Sequence, residues 1–335
     1  MTASDGIVVV TGASGFLGGA LSKALIDKGF RVRAVQRRDV PKLRALGVEI
    51  VQADLSNVDA TREALRGASA VFHVAARAIM WGPYEAFHEA NVVATRNVIS
   101  ACRELGIRKL VFTSTPSVVH AGGDVEGANE SLPLATHFHS PYPETKAIAE
   151  RLILEANGPE LATVALRPHL IWGPDDPQLT ARVLDRARKG RLRLVDGGEK
   201  RIDGVYIDNA VQAHLKALER LEPGAACAGR AYFIAQGEPV PQRELINGIV
   251  TAAGLPPCTR SVPGWLAFAV GALAELMWTL TRRDDEPPMT RFIARQLATA
   301  HWYDISAARR DLDFRPEELP TAEGLRRLAE WCRKR

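Results

Sequence analysis

The chain has 335 residues, 46% hydrophobic and 24% charged, with a net charge of +4. This is the composition of a folded globular protein and excludes fibrous, low-complexity and wholly disordered classes. Positive and negative residues are interspersed, so there is no nucleic-acid footprint, although a slight basic excess suits an anionic small-molecule partner.

The leader MTASDG is polar and passes straight into the first apolar run, which predicts no signal or transit peptide and a cytoplasmic location. Cys102, Cys227, Cys258 and Cys332 are scattered and form no C-x-x-C pair, so free thiols are expected, with no disulfide framework and no metal site. Ile7–Val10 are all β-branched, the pattern of a strand buried on both faces of a parallel sheet. Gly12, Gly15 and Gly18 follow, and an apolar, helix-periodic segment starts at Phe16. Glycine permits a tight turn and close approach to a ligand, and a helix beginning there points its free N–H groups at the loop. Strand, glycine loop and helix in that order are the signature of a dinucleotide-binding unit. A bare glycine-rich turn is the bland alternative.

The alternation continues. Helices are predicted over 16–28, 57–66, 84–105 and 142–157, with a short one from Pro41. Strands are predicted over 30–36, 48–54, 69–76, 108–115 and 161–168, and the stretch 116–141 reads as a loop. Such βα alternation implies a doubly wound parallel sheet of Rossmann type. After Pro168 the pattern changes: a helix over 178–189, short strands near 192–195 and 203–207, a helix to 221, a strand over 230–235 and a helix over 241–253. The expected organisation is a dinucleotide domain of 1–168 plus about 204–235. A smaller interleaved substrate lobe takes about 169–203 and 236–320, and a C-terminal helix 321–335.

Trp265–Leu280 is strongly apolar yet too short to span a bilayer. A buried or pocket-lining helix is expected, with Glu275 and Arg282–Arg283 on its wet side. The other reading is a segment lying on a membrane or a protein partner.

Tyr142 and Lys146 stand four apart at a helix start, which places them on one face. A nearby ammonium favours the phenolate and so tunes a tyrosine for acid–base work on a substrate oxygen. Ser114 and Thr115 fall at the C-terminal end of a strand, where open α/β sheets bind their ligands, and a hydroxyl there can orient a reacting oxygen. Each has a bland alternative, a surface helix pair and polar strand ends respectively.

Together TGASGFLG (11–18), Ala53-Asp54-Leu55, HVAA (73–76), NVVAT (91–95), TSTPSVV (113–119), YPETK (142–146) and LRPHLIWGP (166–174) resemble the extended short-chain dehydrogenase/reductase family, of the epimerase/dehydratase superfamily. The likeness runs on to YDISAARRDLDFRP (303–316) and covers nearly the whole chain. TSTPSVV and ALRPHLIWGP make it most similar to the 3β-hydroxysteroid dehydrogenase branch. Within that branch it looks most like the bacterial 2-alkyl-3-oxoalkanoate reductases and the sterol-4-carboxylate 3-dehydrogenases.

The resemblance implies roles. Gly12, Ala13, Ser14, Gly15, Phe16, Leu17 and Gly18 would hold the pyrophosphate. Asp54 and Leu55 would flank the adenine, Val74, Ala75 and Ala76 would line a ribose, and Asn91 would help hold it. Thr115, Tyr142 and Lys146 would be catalytic, with Lys146 on the nicotinamide ribose, and Pro168 would contact the nicotinamide. It also implies a homodimer through helices 84–105 and 142–157.

Two departures matter. The second strand ends in Gln36-Arg37-Arg38 with no acidic residue for a free ribose 2′-hydroxyl, so Arg37 and Arg38 are expected on a 2′-phosphate. Thr115 is followed by Pro116, which constrains its loop.

The expected function is an NADP(H)-dependent oxidoreductase, with NAD(H) as a possible substitute, interconverting a ketone and a secondary alcohol. Its substrate is expected to be hydrophobic, a long-chain 2-alkyl-3-oxo acid first and a sterol-type ketone second. A sugar-nucleotide epimerase is one rival, with Arg182, Arg193 and Arg201 as diphosphate ligands. A non-catalytic NADP-binding regulator is the other.

Overall fold

Ile7–Thr11 forms β1, with Val8, Val9 and Val10 fully buried at the middle of a seven-stranded sheet. The computed structural model describes residues 6–120, 122–283 and 285–335, so Met1–Asp5 of the polar leader lie outside the described residues. The other strands are β2 (Arg31–Gln36), β3 (Glu49–Gln52), β4 (Ala68–His73), β5 (Lys109–Thr113), β6 (Ala162–Pro168) and β7 (Arg230–Ile234). They lie in the order β3-β2-β1-β4-β5-β6-β7, every neighbouring pair parallel. The order reverses between β1 and β4, and that switch point opens the crevice at the strands' C-terminal ends.

Alternate side chains of each strand feed different cores. Val8, Val10, Phe72 and Val111 join α1 (Phe16–Asp27) on one face. Val9, Val71 and Phe112 join α2 (Ala94–Glu104) and α3 (Pro141–Glu155) on the other. The helix α4 (Ile207–Arg220) packs beside α1. A buried ion pair anchors α3 to the sheet: Arg167 of β6 donates to both oxygens of Glu150, at 3.0 and 2.6 Å.

Several local expectations need correction. The continuous helix over 84–105 is instead a turn of α-helix (Tyr84–Phe87), a π-helical segment (His88–Val93) and then α2. No strand occupies 203–207, where Tyr206 makes only an isolated bridge to Trp172. The loop over 116–141 contains a strand, Val125–Ala128. It joins His301–Tyr303, Arg201–Ile202 and Val240–Pro241 in a second small sheet. Pieces of two to four residues carry too little periodicity to be read from sequence.

The apolar stretch forms α5 (Gly264–Leu280), which packs on α6 (Arg291–Ala298). Its orientation is the reverse of the expected one. Glu275 faces inward, accepting from the Arg291 amide at 2.8 Å and its guanidinium at 2.5 Å. The large apolar side chains face out. No helix among the described residues is long and apolar enough to cross a membrane.

Candidate active site

A cavity of about 800 Å³ runs along the crevice, from the tip of β2 to α6. Its dinucleotide end depends on close approach. The Thr11 hydroxyl accepts from the amides of Val74 and Ala75, both at 3.1 Å, and is itself paired with His73 at 2.9 Å. This draws the end of β4 against Gly12, where a Cβ would lie 2.7 Å from the Ala75 Cα. Gly12 also has φ +70, which L-residues rarely adopt. A Cβ on Gly18 would run into the Gly12 carbonyl oxygen. The N-terminus of α1 has no side-chain cap, so its first amides remain available to an anion, as the glycine pattern predicts.

At the tip of β2 the Gln36 side chain is buried in the wall, and neither its amide nitrogen nor its oxygen has a partner. An orphaned buried amide is costly unless a ligand meets it. Exposed Arg37 stands beside it at the cavity rim. The Asp54 carboxylate accepts from the Ser56 amide at 2.9 Å and its hydroxyl at 2.8 Å. The Ser56 amide bond is the main reason its pKa lies below the usual range, with the Ser56 hydroxyl and Arg37 adding to it. Asp54 and Leu55 line the cavity, as do Val74, Ala75 and Ala76. These features fit a dinucleotide.

The middle of the cavity brings Thr115, Tyr142 and Lys146 together, with Ser114 and Pro168 beside them. Thr115 ends the β5 segment, and its oxygen accepts from the Ser117 amide at 3.2 Å as it caps the short turn Pro116–Val118. Tyr142 lies in the first turn of α3, beside Thr115 in the cavity wall. Burial pushes its phenol up to about 12, with the Thr115 hydroxyl pulling the other way. The Lys146 ammonium donates to the Thr113 carbonyl at 2.6 Å and lies 4.0 Å from the centre of the Phe112 ring. Burial pulls it down to about 7. Burial and the Thr115 hydroxyl are what act on the phenol; Lys146, held on the Thr113 carbonyl, is not among the groups that lower it. The Ser114 hydroxyl is buried in the wall without a partner.

Beyond Tyr142 the wall becomes mainly apolar, with Met80, Leu170, Ile171, Leu179 and Phe292. His169 is fixed between the Asp203 carbonyl at 2.7 Å and His301 at 2.8 Å. Burial pulls it down to about 3, so the imidazole itself is neutral at neutral pH. Arg182, Arg193 and Arg201 do not line the cavity. Arg182 pairs with Glu286, while Arg193 and Arg201 donate to backbone carbonyls.

Residues 9–262 match the model of the "3-beta hydroxysteroid dehydrogenase/isomerase family". The chain belongs to that family. A 2-alkyl-3-oxoalkanoate reductase of Stenotrophomonas maltophilia is 50% identical over 323 residues, covering 96% of this chain and 98% of the relative. A sterol-4-alpha-carboxylate 3-dehydrogenase of Mus musculus is 34% identical, covering 92% and 86%. Among solved structures, MoeE5 in complex with UDP-glucose and NAD is 25% identical with a TM-score of 0.74, covering 98% of this chain and 99% of the other.

The family's signature residues divide into two groups here. Gly12, Ser14, Gly15, Phe16, Leu17, Gly18, Arg37, Thr115, Tyr142, Lys146 and Pro168 line the cavity. Ala13, Arg38 and Asn91 do not. Ala13 is buried behind the glycine loop, and Arg38 is exposed one residue past the rim. Asn91, in the π-helical segment, accepts from the Arg77 amide at 2.8 Å and donates to the Thr145 hydroxyl at 3.0 Å. It is a brace between the segment after β4 and the helix of Tyr142. Gln36, Phe292 and Gln296 are wall residues that sequence reading passed over. Only Gln36 left a signal, as the polar residue that follows Ala34 and Val35 at the end of its strand.

Proposed function

We propose that this oxidoreductase reduces the ketone of a long-chain 2-alkyl-3-oxo acid to the secondary alcohol, with NADP(H) as cofactor. The observation that carries the reading is the junction at Tyr142. Tyr142, Thr115 and Lys146, together in one wall, separate a phosphate-ready glycine cradle from an apolar chamber. The relatives named 2-alkyl-3-oxoalkanoate reductase support the substrate class. Arg37 at the rim, at a strand end that reads Gln36-Arg37-Arg38 with no acidic residue, supports the 2′-phosphate.

The nicotinamide cofactor, when bound, supplies the hydride that the carbonyl carbon accepts. Tyr142 donates its proton to the carbonyl oxygen, and burial keeps that proton on the phenol until transfer. Thr115, whose hydroxyl favours the phenolate form of Tyr142, would orient the reacting oxygen. Lys146, fixed on the Thr113 carbonyl at the cradle's edge, would hold the nicotinamide ribose. The mainly apolar wall receives the alkyl chains, each buried methylene contributing about 0.8 kcal/mol.

The test is NADPH consumption with a graded series of 2-alkyl-3-oxo acids, a 3-ketosteroid and a UDP-sugar, followed at the reduced-nicotinamide absorbance band. The expected outcome is a kcat/KM that rises steeply with chain length. A flat profile overturns the substrate class, and equal use of NADH overturns the cofactor preference.

A further inference from the structure

We infer that the outward face of α5 docks on a phospholipid bilayer and lies in its interfacial plane. Nine large apolar residues among those described are exposed, and seven of them belong to this one helix: Trp265, Leu266, Val270, Leu273, Leu276, Met277 and Leu280. Trp265 is 72% exposed, Leu273 59% and Leu280 73%. At about 100° per residue they fall, with Ala269, within an arc of roughly 140° that contains no charged residue. A face this wide and this apolar is rare on a protein that meets only water.

The helix cannot roll to hide it. Ala267, Gly271 and Ala274 form its packed side. A Cβ on Gly271 would come within 2.7 Å of the Thr290 carbonyl carbon, so the two backbones are as close as glycine allows. Glu275 is tied to both the amide and the guanidinium of Arg291. The apolar arc is therefore presented permanently.

Three features choose the bilayer as occupant. First, α5 has 17 residues and is too short and too exposed on one side only to span, which leaves lying flat. Second, the face consists of eight residues of a single helix, the seven large ones and Ala269. A stable protein–protein interface takes about 20–30 residues a side. A second copy docked through this strip alone would be weakly held, even though Leu266, Val270, Leu273, Met277 and Leu280 repeat at helix-pairing spacing. Third, Trp265, 72% exposed, begins the face, and Arg282 and Arg283 follow the end of the helix. Amphipathic side chains of this kind belong at headgroup depth. Asp285 and Glu286 follow Arg282 and Arg283, so binding rests on apolar insertion rather than on anionic lipid.

Docking has a consequence for supply of substrate. The helix beneath α5 is α6, which presents Phe292 and Gln296 to the cavity, so the apolar chamber lies one helix layer from the membrane surface. Only this consequence rests on the proposed lipidic substrate; the docking does not.

The test is flotation of the full chain with phosphatidylcholine vesicles, with and without phosphatidylglycerol, together with tryptophan emission. The expected result is flotation on both vesicle types with a blue shift that survives added salt. The double variant Leu273→Glu/Leu280→Glu is expected to lower partitioning about 10-fold or more while NADPH affinity and melting temperature stay unchanged, and Leu46→Glu, an exposed site elsewhere, to change nothing. Absence of flotation, or flotation that the double variant does not reduce, overturns the proposal. So does a solution dimer that the double variant splits, which would make the face a contact between copies. Because flotation needs no turnover, failure of the reductase assay leaves this result standing, and failure here leaves the reductase reading standing.

Discussion

The dinucleotide end of the cavity is built around one contiguous stretch, Ile7–Gly18, on which the residues ending β2, β3 and β4 close, while the substrate end has no such centre and is assembled from segments near 80, 170, 179 and 292. At the first end the contacts are backbone against backbone: Gly12 against Ala75, and Gly18 against the Gly12 carbonyl. Those contacts allow almost no variation, because any Cβ collides. At the second end the contacts are side chains on a wall, and many apolar residues of similar volume would satisfy it. One scaffold can thus keep its cofactor geometry fixed and still change its substrate, since the two ends meet only at Tyr142, Thr115 and Lys146.

The largest expected effect lies at that meeting point. Tyr142→Phe removes one hydroxyl, and loss of a general acid lowers kcat by about 100- to 10,000-fold. NADPH affinity and substrate KM should stay within a few-fold, because neither end is touched. Single-turnover kinetics checks this. A rate near that of the wild type, with chemistry limiting, would remove the tyrosine from the reaction and dissolve the division into two ends.

A pair of variants sharpens the division itself. Arg37→Ala deletes a charged hydrogen-bond donor at the rim and is expected to weaken NADPH by about 10-fold while NADH and the KM for the keto acid hold steady. Phe292→Ser acts in the opposite sense, raising the KM for long-chain substrates by about 10-fold and sparing NADPH. Titration of both cofactors and both chain lengths reads all four quantities. If either variant moved both ends equally, the cavity would behave as a single unit.

The same contrast explains what could be read from sequence. Close backbone approach demands glycine, so Gly12, Gly15 and Gly18 announce the loop by residue type. Tyr142 and Lys146 announce themselves by helical spacing. The sheet follows from short apolar runs set between turns, β7 included. By comparison, Phe292 and Gln296 enter the wall because α6 crosses the crevice from far along the chain, which no local pattern encodes. The rotation of α5 was illegible for a related reason. Its hydropathy shows a strong apolar segment, but Arg291, sixteen residues beyond Glu275, decides which side faces in. Asn91 shows the limit of motif transfer. The motif marks the position, while the π-helical segment decides that its amide braces Arg77 and Thr145 instead of facing the cavity.

The smallest expected effect concerns Ser114, and there the two directions oppose each other. Its amide is used, donating to the Leu166 carbonyl at 2.6 Å, but its buried hydroxyl has no partner. A buried hydroxyl left without a partner costs about 1–3 kcal/mol. Ser114→Ala should therefore stabilise the fold, by up to about 1 kcal/mol once the lost side-chain contacts are counted, and raise the thermal midpoint by a few degrees. The hydroxyl lies in the cavity wall beside Thr115, where a substrate oxygen would relieve it. Its removal should then lower kcat/KM for the keto acid by up to about 10-fold, with NADPH affinity unchanged. Gain in stability with loss of turnover is the mark of a residue kept for a ligand at the fold's expense. Thermal unfolding and steady-state kinetics on the same variant decide it. Lower stability, or unaltered kcat/KM, would make Ser114 an ordinary strand end and leave Thr115 as the only hydroxyl of that strand serving the reacting oxygen.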